Sequence, residues 1–212
     1  MADVFDEVDE ELRRANALKL WKKYSPFVIG GAVAIVLATA GWTLWQDHQR
    51  KRSEAEALRF VTASDLAAND PERALVELRA LARDAGPGYA ALARLKEAAL
   101  TLEKDRAKGL DLYRQIAADA GVDAQFRDAA TTVVALLSVD GAPADDVAKS
   151  VAALQAPNGP WRHVAREAEA LARLKAGDKG AALKLYRAIA DDLGAPQALR
   201  QRAAEVADAL GG

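Results

Sequence analysis

The residues that could do chemistry in this sequence are few, and their spacing completes no catalytic or metal site. The 212 residues include two histidines and no cysteine, which excludes thiol chemistry and disulfide bonds. His163 precedes Glu167 by one helical turn, a spacing that could supply half of a metal site. No cysteine can complete such a site, and the other histidine, His48, is far away in the sequence. A solvated helix face explains the pair better.

The remaining polar residues also indicate no enzyme. Phosphate-binding loops and the motifs of zinc proteases and serine hydrolases are absent from the sequence. Carboxylates are plentiful, but they stand among Arg and Lys in the pattern of i,i+4 pairs on helix surfaces. A net charge of −2 gives no reason to expect nucleic acid binding. We therefore predict a non-catalytic protein without a cofactor, metal or nucleic acid ligand.

One long apolar stretch decides where the protein lies. Residues 27–45 contain no charged side chain, and an α-helix of that length spans roughly 28 Å, close to the hydrocarbon thickness of a bilayer. We predict a transmembrane helix over residues 26–46, with Pro26 in its first turn, and a helix that continues through 48–66. The alternatives are a buried core helix and a signal peptide cleaved after Ala40.

Aromatic residues mark both ends of this stretch. Trp21 and Tyr24 precede it, and Trp42 and Trp45 close it. Because such rings prefer the headgroup level of a membrane, we predict that all four are interface residues.

Small residues recur along the same stretch at nearly every fourth position: Gly30, Ala34, Ala38 and Gly41. That spacing predicts a face on which another helix packs closely in lipid. Gly and Ala are also common in membrane helices without any packing role.

Flanking charges predict the orientation. Five basic residues precede the stretch and three follow it: Arg13, Arg14, Lys19, Lys22 and Lys23, then Arg50, Lys51 and Arg52. The excess of Lys and Arg favours a cytoplasmic N-terminal segment over residues 1–25. Residues 47–212 would then lie on the far side, which is the periplasm in a bacterium.

Beyond the stretch, the chain repeats itself. Residues 74–86, 109–121 and 182–194 align with one another, and a degenerate copy is expected near 146–154. The period is close to the ~34 residues of a tetratricopeptide repeat. Further helices are predicted over 88–103, 123–138, 161–176 and 196–210, with Gly- and Pro-containing breaks between them. The predicted fold is all-α, a transmembrane helix followed by a solenoid of tetratricopeptide-like (TPR-like) helical hairpins.

Two copies of the repeat place a small residue four positions before a tyrosine. Gly109 precedes Tyr113, and Ala182 precedes Tyr186. We interpret these residues as repeat packing, in which the small residue permits close helix approach and the ring fills the space beyond it.

Two segments resemble one known family. The end of the apolar stretch, Gly41-Trp42-Thr43-Leu44-Trp45-Gln46-Asp47-His48-Gln49, and residues 161–190, with Lys175-Ala176-Gly177-Asp178-Lys179, are similar to YfgM-type proteins. These are ancillary subunits of the bacterial Sec translocon. The resemblance implies a single-pass inner-membrane protein with a periplasmic repeat domain. It also implies that the translocon and a membrane-anchored chaperone of the prolyl-isomerase type are partners.

Two functional hypotheses follow. The first is a membrane-tethered adaptor that assists proteins emerging from the translocon, with client polypeptides as additional partners. The second is a periplasmic TPR scaffold for envelope or cell-division assembly. Midcell enrichment would favour the scaffold, whereas an even distribution along the membrane would favour the adaptor.

Overall fold

The computed structural model describes residues 3–211, and for 3–20 and 23–34 it describes the backbone alone. All regular elements of this part of the chain are helical. They are α1 (Asp3–Leu66), α2 (Pro71–Asp84), α3 (Pro87–Lys104), α4 (Arg106–Ala118), α5 (Ala124–Ser138), α6 (Ala144–Val151), a 3₁₀ turn (Ala152–Gln155), α7 (Arg162–Lys175), α8 (Lys179–Ala190) and α9 (Gln197–Gly211).

The first helix is longer than the sequence predicts. The prediction that a helix begins at Pro26 is wrong, because α1 continues through this position without a break. A proline inside a helix loses one backbone hydrogen bond, but residues 15–23 before it are rich in Ala, Leu and Lys, which favour helix. The chain divides into two compact units, Met1–Ala55 and Glu56–Gly212.

The second unit alternates two kinds of helix. We call α2, α4, α6 and α8 the A helices, and α3, α5, α7 and α9 the B helices. Each helix from α2 onward packs on the next one in the chain. The B helices agree with the predicted ranges to within one residue at each end. The prediction of a TPR-like helical solenoid is therefore confirmed for this unit.

Three of the A helices begin with the same capping interaction. The side chains of Asp70, Asp105 and Asp178 accept hydrogen bonds from backbone N–H groups three residues later, at 3.0, 3.1 and 3.0 Å. Such N-caps satisfy one of the free donors at a helix start. The shorter α6 has Pro143 in the capping position, and it makes no side-chain cap.

All four A helices bury residues with one spacing. A first residue is followed four and seven positions later by two further apolar residues, and the last of the four sets spans α6 and its 3₁₀ turn. The sets are Ala74, Leu78 and Leu81; Gly109, Tyr113 and Ile116; Ala182, Tyr186 and Ile189; and Val147, Val151 and Leu154. The degenerate copy expected near 146–154 is thus confirmed.

The B helices between two A helices bury two opposite faces. On α3, Ala91 and Ala98 belong to the cluster around Tyr113, whereas Ala93 and Leu100 belong to the cluster around Leu78. The helices α5 and α7 are divided between neighbouring clusters in the same way. The hydrophobic core is therefore a series of linked clusters, as expected of a repeat protein.

Candidate interaction surfaces

The described part of the apolar stretch lies uncovered in the first unit. Six large apolar side chains between residues 35 and 45 are each more than half exposed: Ile35, Val36, Leu37, Trp42, Leu44 and Trp45. Soluble proteins rarely expose so many neighbouring apolar residues unless they form a binding surface.

Polar groups in the same stretch are satisfied within the helix. The hydroxyl of Thr39 donates to the carbonyl of Ile35, and that of Thr43 donates to the carbonyl of Thr39, both at 2.8 Å. The rings of Trp42 and Trp45 lie against each other with centroids 5.3 Å apart. The surface is therefore apolar on every side, since neither threonine needs water as a partner.

The structure describes only some of the other residues predicted for this stretch and its ends. Trp21 is 61% exposed, Ala38 is exposed, and a Cβ on Gly41 would meet nothing within 4 Å. The side chains of Tyr24 and Ala34, and the surroundings of Gly30, lie outside the described residues. Where side chains are described, no helix is long and apolar enough to cross a membrane, and residues 26–34 of the predicted span fall outside that part.

In the second unit, Gly109 and Tyr113 lie on the packed face of α4. A Cβ on Gly109 would stand 2.4 Å from the Cα of Leu102 on α3, closer than atoms can approach. Tyr113 is 7% exposed, and burial raises the pKa of its hydroxyl. Phe126 of α5 packs against the same cluster.

The second predicted pair, Ala182 and Tyr186, lies in a different cluster, formed by α7, α8 and α9. Ala182 is fully buried, and Tyr186 is nearly so. Trp161 packs against the cluster of α5, α6 and α7. The structure therefore places Tyr113 and Tyr186 in the interior of the stack, and Phe126 and Trp161 pack partly buried against its clusters.

A repeated acidic turn follows the A helices. Asp119 accepts a hydrogen bond from the N–H of Gly121, and Asp192 accepts one from the N–H of Gly194, both at 2.9 Å. The Arg94 guanidinium, 2.7 Å from Asp119, holds the pKa of that carboxyl below its usual range. We did not predict from the sequence that Asp119 and Asp192 bind these backbone N–H groups, although the repeat alignment superposes the two Asp-x-Gly segments.

In the first repeat, α1 supplies the corresponding carboxylate. The Glu56 side chain is 7% exposed and accepts a hydrogen bond from the N–H of Gly86 at 3.0 Å. Gly86 caps the start of α3, where a negative charge is favourable. Glu56 therefore fixes the last turns of α1 to the first repeat.

The interpretation of His163 as part of a solvated helix face is wrong, because the residue is buried at the joint between α7 and the α8–α9 turn. It is 5% exposed, and neither ring nitrogen has a hydrogen-bond partner in the part of the chain that the structure describes. Its Nδ1 lies 3.6 Å from Asp192 Oδ2. Burial, followed by the charge of Arg162, lowers the pKa of the imidazole.

The half metal site suggested by the sequence does not form. Glu167 pairs with Arg202 of α9 at 2.7 Å instead. Among the side chains that the structure describes, those of residues 21–22 and 35–211, no group of three His, Cys, Asp or Glu is placed to hold a metal ion. His48 is exposed on α1.

An open groove lies between α2, α3 and α4. Its volume is about 480 Å³, and Thr101, Ala107 and Leu112 contribute apolar surface to it. Charged residues of both signs surround it, among them Lys108 and an Arg79–Glu97 pair at 2.6 Å. Such a groove can accept part of a polypeptide, but it gathers no catalytic set of groups.

The fold and these surfaces agree with the comparison to protein families. Residues 19–207 match the family described as a tetratricopeptide repeat-like domain. The chain therefore belongs to this family. No curated protein and no solved structure matches the chain. Repeat domains of this kind are generally non-catalytic scaffolds for protein–protein interaction.

Proposed function

We propose that this chain is a non-catalytic adaptor that a single transmembrane helix holds at the bacterial inner membrane. The observation that carries the proposal is the uncovered apolar surface of residues 35–45 on the same chain as a TPR-like repeat domain. One part has the chemistry of a membrane anchor, and the other has the architecture of a protein-binding scaffold.

Lipid is the environment that best suits the apolar surface. Each large apolar side chain gains about 1.5–3 kcal/mol when it leaves water. The self-satisfied hydroxyls of Thr39 and Thr43 remove the main polar cost of that transfer. The transmembrane segment then comprises residues 26–46, with Trp42 and Trp45 at one interface.

The proposed topology places residues 1–25 in the cytoplasm and 47–212 in the periplasm. The excess of basic residues before the span supports this orientation. The resemblance to YfgM-type proteins supports a position beside the Sec translocon and a periplasmic prolyl-isomerase-type chaperone. The repeat domain would hold such a chaperone close to emerging client polypeptides.

Tethering gives weak contacts a physical advantage. A domain fixed to the membrane beside its partner experiences a high effective concentration, so even modest affinity keeps the complex assembled. Binding surfaces of repeat domains suit this role, because they are extended and need no enclosed pocket.

Two experiments test the proposal. Reporters of periplasmic and cytoplasmic location, fused in turn to each end of the full chain, should report a cytoplasmic N-terminus and a periplasmic C-terminus. Co-purification from mild detergent should recover translocon components or a periplasmic chaperone with the full chain. A cytoplasmic C-terminus, or enrichment at midcell without any translocon component, would contradict the adaptor.

A further inference from the structure

The two ends of the helical stack differ in the chemistry of their outer faces. At the C-terminal end, α9 packs its Ala203 face on α8, and its opposite face is polar and exposed. That polar face is formed by Gln197, Gln201, Glu205 and Asp208. Polar outer faces of this kind end a repeat array, because they leave no apolar surface for another repeat.

The N-terminal end has the opposite character. Residues 56–66 of α1 occupy the place of a B helix before α2, and Ala63 packs in the cluster around Leu78. On the opposite side of this segment, Leu58 and Val61 are 68% and 53% exposed. At 100° per residue they lie about 140–160° around the helix from Ala63.

The interior B helices show what such a face does when it is covered. On α7, the buried Ala170 belongs to the cluster of the following A helix, whereas Ala168 and Ala165, two and five residues before it, belong to the cluster of the preceding A helix. Val61 and Leu58 have the same offsets from Ala63. In the described stack, however, no A helix covers them, whereas the outer face of α9 carries the polar residues Gln201, Glu205 and Asp208.

We infer that the Leu58–Val61 face binds an amphipathic helix of a partner protein, which adds to the stack as a preceding A helix. This inference rests on the proposed adaptor function and specifies where one partner binds. Three A helices of this chain, α2, α4 and α8, define the pattern required: a small residue followed four and seven positions later by large apolar ones.

Charge and helix order argue for a partner rather than a second copy. Each A helix of this chain already lies beside B helices, and the helix at the other end of the stack, α9, is itself a B helix. Cations near the end of a B helix pair with acids near the start of the preceding A helix, as in Lys104 with Glu72. Near the C-terminal end of α1 the exposed charged residue is Asp65. A bound A helix with a Lys or Arg in its first turn would therefore form the corresponding ion pair with Asp65.

A labelled peptide of residues 178–194, which carries the A-helix pattern and a lysine in its first turn, provides the probe. Its binding to the full chain in mild detergent can be followed by fluorescence anisotropy. We expect the double variant Leu58→Glu, Val61→Glu to weaken binding at least tenfold. The matched control Leu193→Glu changes an 86% exposed leucine elsewhere and should leave binding unchanged. A peptide with Ala182, Tyr186 and Ile189 moved to other positions should not bind.

The experiments distinguish a failure of this inference from a failure of the proposed function. Equal binding to the parent and the double variant, or no binding to the parent, would overturn the inference. A photo-crosslinker at position 58 of the full chain should capture a patterned helix of another protein, and a product formed by two copies of the chain would also overturn it. If binding depends on Leu58 and Val61 but the chain does not associate with membranes, only the proposed function is wrong.

Discussion

At the scale of single residues, side-chain volume sets how closely the helices pack. The position taken by Gly109 on α4 lies directly against the backbone of Leu102, so even one methyl group has no space there. The bulkier Tyr113 and Ile116 then fill the volume beyond the contact. The same order of small and large residues on α8 closes the last repeat.

Replacing this glycine should be costly. Gly109→Ala forces α3 and α4 apart and should lower the free energy of unfolding by about 1–3 kcal/mol, the usual range for overpacking. Gly88→Ala in α3 is the control, because its Cβ would meet nothing within 4 Å. It should be neutral or slightly stabilising. Chemical denaturation followed by circular dichroism measures both, and equal stability of the two variants would contradict the account.

The buried histidine should make stability depend on pH. Because the folded pKa of His163 is lowered, its neutral ring contributes stability that is complete above the unfolded value near 6.5. Below that value the unfolded chain binds the proton more readily, so the contribution is lost as the pH falls through the folded pKa. Arg162 and Arg166 oppose protonation, whereas Asp192 favours it.

We expect the unfolding midpoint of the parent protein to decrease when the pH is lowered from 7.5 to 5.5. His163→Leu, which has no titrating ring, should show a smaller fall, and His48→Gln should behave as the parent because His48 is exposed. The pKa of Asp192 is lowered, first by the N–H of Gly194, so its own titration lies below this window. Identical pH profiles for all three proteins would exclude the effect of His163.

At the scale of elements, helix starts and repeat spacing define the stack. Three A helices share an Asp N-cap, and α6, which has Pro143 there, is short and ends in a 3₁₀ turn. The degenerate repeat therefore lacks both the side-chain cap and the length of the other A helices.

Removal of one cap should be measurable. Asp178→Ala deletes the acceptor for the N–H of Ala181 and should cost about 0.5–2 kcal/mol in the free energy of unfolding. Asp178→Asn retains an acceptor oxygen and should cost less. Denaturant unfolding of the two variants distinguishes them, and equal losses would mean that charge, not the hydrogen bond, provides the stabilisation.

Local signals explain which elements the sequence predicts. The B helices are bounded by Gly, Pro and Asp, so their ends agree with prediction to within one residue. Pro26 misled the prediction of α1, because its preference for a first turn does not exclude a position inside a helix. The repeat spacing also located α6 despite its divergent residues.

The candidate surfaces were harder to predict than the fold. Tertiary contacts decide that Glu56 bonds to Gly86 and that Glu167 pairs with Arg202 and not with a metal. The exposure of Leu58 and Val61 follows from their place at the end of the stack, since the same apolar residues would be core in an interior helix. No periodicity within one helix reveals that difference.

At the scale of the whole molecule, the two units of the chain have different surfaces. Residues 56–212 bury their apolar side chains in linked clusters, whereas residues 35–45 leave theirs uncovered. A stable repeat domain has no need of such an apolar segment, but a domain that works at a membrane does.

Membrane fractionation of cells that express the full chain most directly tests the proposal that a transmembrane helix anchors this chain. After breakage and alkaline extraction, we predict that the intact chain remains in the membrane pellet and that a chain lacking residues 1–55 is released into the supernatant. Recovery of the intact chain in the aqueous fraction, or of a product shortened at Ala40, would contradict the account.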